Sequence, residues 1–364
     1  MASLADFRFV SADSHVNEPP ELFAERMPKK LRDRAPRVEE VNGVACLIIE
    51  GMRPRKLPQG RIALAGEDLE RAGAGGWDPE IRLRDQDRDG VAAEVVFPSL
   101  SLQSSFSTPD PELQMALSHA YNDWAAEIFA PHADRFAVAG IVPMLDIERA
   151  CGEAERVRRL GLRALLLPAR VEPRPYNHRD YDRFWRLAEE LGLPLTFHAG
   201  TGHEPRIESG PGGAVINYLL GAQIDGPHVL LYFATAGILD RFPRLRIITV
   251  ETGCSWLAWV MTQMDEIYAK HHMWATPKLT LPPSEFVRRQ CHVTFQNDPV
   301  GIANRGVTGV GCLLWGSDYP HHEGTWPNSH AVVEAQLGGV PDDEKRMILG
   351  GTAARIFGFD AGRR

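Results

Sequence analysis

The sequence has few cysteines, and their positions indicate no shared function. Five cysteines are scattered over 364 residues, and no two of them form a CxxC pair. An odd and dispersed set is typical of reduced thiols, so it argues against a disulfide framework and against a zinc knuckle. The first fifteen residues also lack the apolar run of a secretory signal. Together these features predict a cytoplasmic protein.

Long apolar runs and long basic runs are missing as well. The longest apolar stretch, 229–239, is too short to span a bilayer. No run of Lys or Arg is long enough to follow a phosphate backbone, and the formal net charge is −8. We therefore expect neither nucleic acid nor a membrane as a partner. With 44% hydrophobic and 24% charged residues, the composition is typical of a globular protein.

Short apolar segments alternate with helical segments along the chain. The eight strand candidates are 7–12, 93–98, 136–142, 164–167, 195–197, 245–250, 293–295 and 312–315. Apolar residues at a spacing near 3.6 predict helices between them, such as 111–129 and 256–271. We also expect a short helix over 21–31, a charged helix over 81–90, an apolar helix or pair of helices over 216–239 and a closing helix over 341–357. This alternation predicts parallel strands with right-handed crossovers. Eight such units favour a closed (β/α)8 TIM barrel of the α/β class. No G-x-G-x-x-G follows a strand, as a dinucleotide fold would require.

Residues 35–80 interrupt this alternation. Asn42 and Gly43 indicate a turn between two short strands, and 56–76 is rich in Gly, Pro and charged residues. We expect an inserted hairpin or flap here, which makes the barrel a distorted one. We assign the whole chain, 1–364, to a single domain that contains this insert.

Acidic residues and histidines stand where several predicted strands end. Asp13 and His15 follow the first strand, His198 ends the fifth, Glu251 ends the sixth, and Asp318 follows the eighth. In a parallel barrel these strand ends meet at the mouth that holds the active site. Each residue alone has a structural explanation, such as a buried hydrogen bond or a helix cap. Together they favour a metal site, because charges crowded into a cleft resist desolvation unless something compensates them.

Imidazole and carboxylate groups together suit one divalent ion. We expect zinc first, with manganese or iron as alternatives. Two histidines and one or two carboxylates leave a coordination position open for water or substrate. Such an ion either lowers the pKa of a water molecule or polarises a substrate oxygen.

A second group of residues is placed to contact a substrate. Its members are Glu18, Arg170, His203, Trp256, His321 and His322. Glu18 can reach either the metal or a loop amide, and we favour the amide. Arg170 suits a substrate carboxylate or a surface salt bridge equally well. The three histidines lie in loops after predicted metal ligands, and Trp256 is a candidate pocket wall or a packing residue.

Several segments resemble the amidohydrolase-related family (amidohydrolase 2), and within it the branch that includes aminocarboxymuconate-semialdehyde decarboxylase. The resemblance is carried by ADSHVNEP, YNDWAAEIFAPHADRFAVAGIVPMLD, LGLPLTFHAGTG, DRFPRLRIITVETG, LLWGSDYPH and GGTAARIFG. These segments cover most of the chain outside 35–80. The resemblance implies a distorted (β/α)8 barrel, one metal ion, a small-molecule substrate and a homodimer.

The resemblance also implies roles for individual residues. The family's metal ligands fall on His15, His198 and Asp318, and Asp13 stands where the family commonly has a first histidine. Some decarboxylases of this branch have an acidic residue there. Glu251 stands where many of these decarboxylases have a catalytic histidine. A carboxylate cannot act as a cationic imidazole, so Glu251 suits a general base, an extra ligand or a group that orients water.

These considerations favour hydrolysis of a small carbonyl- or carboxylate-containing compound by a metal-activated water. In that scheme Asp318 accepts the proton from the water and Glu251 assists as acid or base. Non-oxidative decarboxylation of an aromatic or unsaturated acid is the alternative. A metal-free barrel that only binds a ligand is a further alternative, because Asp13 and Glu251 replace two of the family's histidines.

Overall fold

Eight parallel strands form a closed barrel in the structure, a computed structural model that describes residues 7–19, 21–56, 70, 73–203 and 208–360. The strands are Phe9–Ser11, Val91–Pro98, Phe136–Ile141, Ala164–Leu166, Leu195–His198, Ile247–Val250, Cys291–Phe295 and Leu313–Trp315. Each pairs in parallel with the next along the chain. The ring closes where the Ala12 amide donates to the Trp315 carbonyl, at 2.9 Å. The predicted TIM barrel is therefore confirmed.

The barrel strands are apolar because both of their faces are covered. Every residue of the third to eighth strands is buried. Side chains fill the interior, and helices pack on the outside, so these strands are nearly continuous apolar runs. The short strand His15–Val16 adds to this sheet by pairing with Phe97 and Pro98.

Helices connect the strands around the barrel. The α-helices are Leu22–Arg26, Pro79–Asp89, Leu100–Ser107, Pro111–Phe129, Ile147–Arg159, Asp182–Leu191, Gly213–Tyr218, Asp225–Thr235, Ile238–Arg241, Ser255–Lys270, Pro283–Gln290, Pro299–Ala303, Arg305–Thr308, Ser329–Leu337, Asp342–Arg346 and Thr352–Phe357. Asp78, Asp110 and Asp146 each cap a helix by accepting hydrogen bonds from first-turn amides. Among the described helices, none is long and apolar enough to cross a bilayer.

Two predicted helices are interrupted. The helix expected over 21–31 ends at Arg26, and a 3₁₀ turn, Lys29–Arg34, follows Pro28. The closing helix expected over 341–357 is broken by a wide turn at Met347–Gly351, where Gly350 leaves the helical conformation. A Cβ atom at Gly350 would lie 2.5 Å from the Arg8 carbonyl oxygen. The prediction of one continuous helix was wrong here, because close packing against the start of the first strand displaces the backbone.

The segment predicted as an insert contains a small antiparallel sheet. Its strands are Arg37–Val41, Val44–Ile48 and Arg55–Lys56. Asn42 and Gly43 form the predicted turn, with φ values of 52° and 77°. Residues 57–69 and 71–72 of the predicted insert lie outside the described residues. The assignment of the whole chain to one domain stays a prediction.

Candidate metal centre

Two histidines meet at the barrel mouth. The Nε2 atoms of His15 and His198 lie 3.1 Å apart. His15 Nδ1 lies 3.0 Å from the Pro98 carbonyl oxygen, and His198 Nδ1 lies 3.2 Å from that of Ala199. A carbonyl can only accept, so each Nδ1 carries a proton, and the two Nε2 atoms face each other, where each neutral imidazole would offer a lone pair to an ion.

Three carboxylates surround these two nitrogens. Asp13 Oδ1 lies 3.8 Å from His15 Nε2 and 3.6 Å from His198 Nε2. Glu251 Oε2 lies 3.6 Å and 3.4 Å from the same two atoms. Asp318 Oδ1 lies 3.5 Å from His15 Nε2. The five residues predicted from four strand ends thus meet at His15, whose ligand atom lies within 4.8 Å of two groups: Asp13 and His198 form one with it, and Glu251, Asp318 and His321 form the other.

Two carboxylates of this cluster, those of Asp13 and Asp318, are fully buried. Both residues are 0% exposed, and among the described residues none of their oxygens has a hydrogen bond, although His321 Nδ1 lies 3.1 Å from Asp318 Oδ1 as an ion-pair contact. Buried polar atoms in proteins are nearly always satisfied, so oxygens without partners need an explanation. A divalent cation would provide one, because it would neutralise the carboxylates and accept the imidazole lone pairs. Two nitrogen and several oxygen donors fit zinc, manganese or iron.

Two members of the cluster have an unusual backbone conformation. Glu251 has φ 58° and Asp318 has φ 56°, which is the left-handed region that residues other than glycine rarely occupy. Such a conformation costs about 1–3 kcal/mol and persists where the surroundings enforce it, often at functional sites. Glu251 directly follows the sixth strand, and Asp318 lies just past the eighth. From these positions both side chains reach the cluster.

The two imidazoles titrate in opposite directions in the ion-free chain. Burial lowers the pKa of His15 well below its usual value, and the neighbouring His321 and His198 add to this effect. Burial also opposes a charge on His198, but the Asp13 and Glu251 carboxylates outweigh it and raise the pKa of His198 to about 9. Burial and the charge of Glu251 raise the pKa of Asp318 well above its usual range. The cluster therefore holds protons where an ion would otherwise sit.

Glu251 has a second partner that the sequence did not reveal. Its Oε1 accepts a hydrogen bond from the Tyr218 hydroxyl at 2.9 Å, and its amide donates to Thr294 Oγ1 at 2.8 Å. The Tyr218 bond leaves Oε2 as the oxygen that faces the histidines. Tyr218 lies in a segment read only as an apolar helix, so periodicity gave no signal for it.

The two histidines after Asp318 have different surroundings. His321 stacks on His15 with ring centroids 3.9 Å apart, and its Nδ1 lies 3.1 Å from Asp318 Oδ1. Burial opposes a charge on His321, but Asp318 and Glu251 raise its pKa to about 9. The His322 side chain is 61% exposed and contacts Glu323. His321 therefore belongs to the centre, and His322 lies at the surface.

Glu18 contacts loop amides. Its carboxylate accepts hydrogen bonds from the amides of Ser99, Leu100 and Ser101 at 3.3, 2.8 and 2.7 Å. These are the first amides of the helix Leu100–Ser107, so Glu18 acts as a cap supplied from a distant part of the sequence. This geometry matches the amide alternative for Glu18, and it leaves both carboxylate oxygens occupied.

The other candidates lie around the mouth. Arg170 Nε is 3.6 Å from Asp225 Oδ1, and Arg170 lines a pocket of about 360 Å³ together with His203. Trp256 Nε1 donates to the Thr252 carbonyl at 2.9 Å, and Trp256 lines a separate pocket of about 480 Å³. Neither Glu18 nor His203 belongs to the two groups of ligand atoms that lie within 4.8 Å of one another.

A buried arginine connects the two segments that carry His15 and Asp318. Arg82 is 1% exposed and pairs with Glu94, which is also 1% exposed. Its Nη1 donates to the His15 carbonyl at 2.5 Å, and its Nη2 lies 3.5 Å from the Tyr319 carbonyl. Arg82 therefore joins the loop that carries His15 to the loop that carries Asp318. The sequence suggested only a charged helix here, although four of its polar residues, Arg82, Asp85, Gln86 and Asp89, are buried.

Comparison with known proteins agrees with this architecture. The sequence model described as "Amidohydrolase" (Amidohydro_2) matches residues 12–359. The decarboxylase orsB of Emericella nidulans is 29% identical over 185 residues, which are 47% of this chain and 53% of that protein. The chain thus spans about half the length of this relative. The 2-amino-3-carboxymuconate-6-semialdehyde decarboxylase of Dictyostelium discoideum is 20% identical over 78% of this chain and 77% of its own length.

Solved structures share the fold. An amidohydrolase from Mycobacterium avium subsp. paratuberculosis K-10 has a TM-score of 0.79 at 21% identity, covering 97% of this chain and 99% of its own. The 5-carboxyvanillate decarboxylase from Novosphingobium aromaticivorans, solved with bound manganese, has a TM-score of 0.70 at 17% identity, covering 98% of both chains. At these identities the likeness shows the barrel alone.

Proposed function

The chain belongs to the amidohydrolase family and is an enzyme of the amidohydrolase superfamily, and from this premise we propose that it is a metal-dependent decarboxylase of a small aromatic or unsaturated acid. The observation that carries the proposal is the convergence of two imidazole nitrogens with buried carboxylate oxygens that lack partners. Both relatives described above are named as decarboxylases. This proposal reverses the order expected from the sequence, in which hydrolysis came first.

The residues that would hold the ion are Asp13, His15, His198 and Asp318, with Glu251 as a further ligand. When bound, the ion supplies positive charge that binds the substrate carboxylate or an adjacent hydroxyl and stabilises developing negative charge. Manganese is favoured by the structure of the bacterial decarboxylase, and zinc, the first expectation from the sequence, stays a prediction.

Asp318 and His321 are the groups we assign to proton transfer. The bond between the substrate carbon and its carboxyl group breaks, the electron pair stays on the carbon, and carbon dioxide leaves. A proton from the Asp318–His321 pair then forms the new C–H bond. The pair is suited to this step because its facing atoms lie 3.1 Å apart and His321 is 29% exposed, so solvent can restore the proton.

The reaction can be tested by product analysis. Manganese-loaded protein is incubated in D₂O with 5-carboxyvanillate and with other hydroxylated aromatic acids. We expect carbon dioxide and the corresponding arene in equal amounts, with one deuterium at the former carboxyl position. Asp318→Asn serves as the inactive control. A product that has gained water and kept its carboxyl group would contradict the proposal.

Hydrolysis remains a second candidate because of Glu251. A carboxylate held by Tyr218, with its other oxygen 3.4 Å from His198 Nε2, is placed to accept a proton from an attacking water. Esters, lactones and amides of aromatic acids, assayed in H₂¹⁸O, separate the two reactions. Incorporation of ¹⁸O without loss of carbon dioxide would favour hydrolysis.

Metal content separates both enzymes from a barrel that only binds a ligand. Protein purified without chelator should carry close to one equivalent of manganese, iron or zinc, measured by mass spectrometry. Chelation should lower its melting temperature, because an ion that binds only the folded state stabilises that state. Less than half an equivalent together with an unchanged melting temperature would favour the metal-free barrel.

A further inference from the structure

The pocket that Arg170 and His203 line opens at the same end of the barrel as the metal centre. It has a volume of about 360 Å³ and is built by the segments that follow the second, third, fourth and fifth barrel strands. The proposed metal ligands follow the first, fifth, sixth and eighth strands. The loop after the fifth strand therefore contributes to both, with His198 at its start and His203 in the pocket wall.

The pocket walls are largely apolar. Phe106, Met144 and Val171 line it and are 8%, 1% and 7% exposed. Pro168 completes this side of the wall. A cavity of this size with apolar walls suits an aromatic ring or a short hydrocarbon chain.

Two polar atoms of the pocket are buried and have no hydrogen-bond partner within the part of the chain that the structure describes. Gln114 is 3% exposed; its Nε2 donates to the Thr108 carbonyl at 2.7 Å, and its Oε1 has no hydrogen bond. His203 Nε2 is also buried without a hydrogen bond. Burial lowers the pKa of His203 to about 4, so this imidazole is neutral near pH 7. An amide oxygen only accepts, whereas a neutral imidazole nitrogen accepts or donates, so a hydroxyl group, which does both, can pair with either atom.

His203 shares an unusual backbone conformation with two residues of the metal centre. Among the described residues, the left-handed conformation outside glycine occurs at Asn42, His203, Glu251 and Asp318. Asn42 occupies a hairpin turn, where this conformation is expected. The other three stand in loops at the barrel mouth, and Glu251 and Asp318 belong to the metal centre. His203, with φ 48°, shares a conformation that proteins retain mainly where function requires it.

Hydrogen bonds fix the pocket relative to the centre. The Thr201 hydroxyl donates to the carbonyl of His198 at 2.7 Å and accepts from the Ala169 amide at 3.0 Å. Ala169 directly follows Pro168 in the pocket wall. A ligand seated in this pocket is therefore held against the same loop that positions His198.

We propose that this pocket is the specificity subsite of the enzyme, and that Gln114 and His203 select a hydroxyl group on the apolar part of the substrate remote from its carboxyl group. The inference rests on the proposed decarboxylase function for the identity of the site. It adds the substrate class, an acid whose ring or chain carries a hydroxyl far from the reacting carbon. It also assigns the two residues that recognise that hydroxyl.

Binding of two matched probes tests the subsite without turnover. Chelator-treated protein is titrated by calorimetry with 4-propylphenol and with 4-propylanisole, which lacks the hydroxyl proton. Wild-type protein should bind the phenol about tenfold more tightly, since a buried acceptor left unpaired costs about 1–3 kcal/mol. Gln114→Leu should remove this preference. Gln263→Leu, the same change in an apolar groove elsewhere, should leave it unchanged.

A second variant keeps the subsite testable if Gln114→Leu does not fold. His203→Asn keeps a residue that tolerates the left-handed conformation, and it should reduce the phenol preference at least threefold. Equal binding of both probes by wild-type protein, or a preference that survives in both variants, would overturn the subsite. If the preference is present but no acid loses carbon dioxide, the decarboxylase proposal fails while the subsite stands.

Discussion

Asp13 and Asp318 carry four carboxylate oxygens that are buried without a hydrogen bond from any described residue, and one oxygen of each lies near a histidine Nε2 atom. A folded chain that keeps such atoms unpaired loses stability, unless an ion or protons compensate them. Substitution at this point should impair function while the chain still folds, because the apolar packing of the barrel strands is untouched.

We expect His198→Ala and Asp318→Asn each to lower kcat by at least about 100-fold, through loss of a ligand or of the proton donor. Both variants should keep the wild-type circular dichroism spectrum. The measurement is kcat of manganese-loaded protein beside a thermal melt. His322→Ala, which removes an exposed histidine four residues from Asp318, should stay within twofold of wild type. Retained activity in either cluster variant would refute the assignment.

The sequence predicted these candidate ligands because a parallel barrel brings its strand ends together. Asp13, His15, His198, Glu251 and Asp318 could be named without coordinates, since position after a buried strand was sufficient. Tyr218 could not, because its contact with Glu251 joins a helix to a strand end 33 residues away. Nothing in the local pattern of an apolar helix records which of its side chains reaches a distant carboxylate.

The same limit applies to whole elements. The eight strands were predicted because strands covered on both faces are continuous apolar runs. The helix Leu100–Ser107 was missed because its sequence, LSLQSSFS, places serines at buried positions and has no apolar period. The Glu18 carboxylate accepts hydrogen bonds from the first amides of this helix, and it is 82 residues before Leu100 in the sequence. A helix stabilised by a long-range contact cannot be recognised from its own residues.

We expect Arg82, on the helix Pro79–Asp89, to contribute both to the stability of the fold and to metal binding. Arg82→Met leaves Glu94 buried and unpaired, which should cost about 3–5 kcal/mol of unfolding free energy. The double variant Arg82→Met/Glu94→Leu should recover much of that loss. It should still bind manganese more weakly, because the His15 and Tyr319 carbonyls lose their shared donor. Chemical denaturation and metal titration by calorimetry give the two quantities.

Arg84→Met, an exposed position on the same helix, is the matched control and should change stability by less than about 0.5 kcal/mol. Wild-type metal affinity in the double variant would show that Arg82 serves the fold alone.

At the scale of the whole molecule, the helix Ser255–Lys270 and the turn after it expose large apolar side chains. Trp259, Ile267, Met273 and Trp274 are 67%, 54%, 66% and 67% exposed. Several large apolar side chains exposed on one helix and the turn after it commonly mark an interface, so they support the homodimer expected from the sequence. We expect light scattering to give a dimer for wild-type protein and a monomer for Trp259→Glu. Trp77→Glu, at a 54% exposed tryptophan elsewhere, should remain dimeric; a wild-type monomer would rule the interface out.

We expect the stability of the chelated protein and that of the manganese-loaded protein to depend differently on pH. In the ion-free chain, carboxylates raise the pKa values of His198 and His321 to about 9 against the opposing effect of burial. A raised histidine pKa contributes stability that is complete below the unfolded value of 6.5 and is lost as pH rises towards 9. Burial lowers the pKa values of His203, His228 and His292 to about 4, so their contribution is complete above 6.5 and is lost as pH falls towards 4.

Chelated protein should therefore be most stable near pH 6.5, and its melting temperature should fall as the pH is raised to 9. An ion at the centre replaces the proton on His198, so manganese-loaded protein should lose much less stability over the same alkaline range. On the acidic side the two forms should both lose stability, because His203, His228 and His292 lie outside the proposed ligand set and become protonated in either form. Calorimetric melts at half-unit intervals, with chelator and with manganese, make the comparison. Parallel curves above pH 6.5 would mean that protons and metal do not compete for the same atoms, and the cluster of Asp13, His15 and His198 would then have to be explained without an ion.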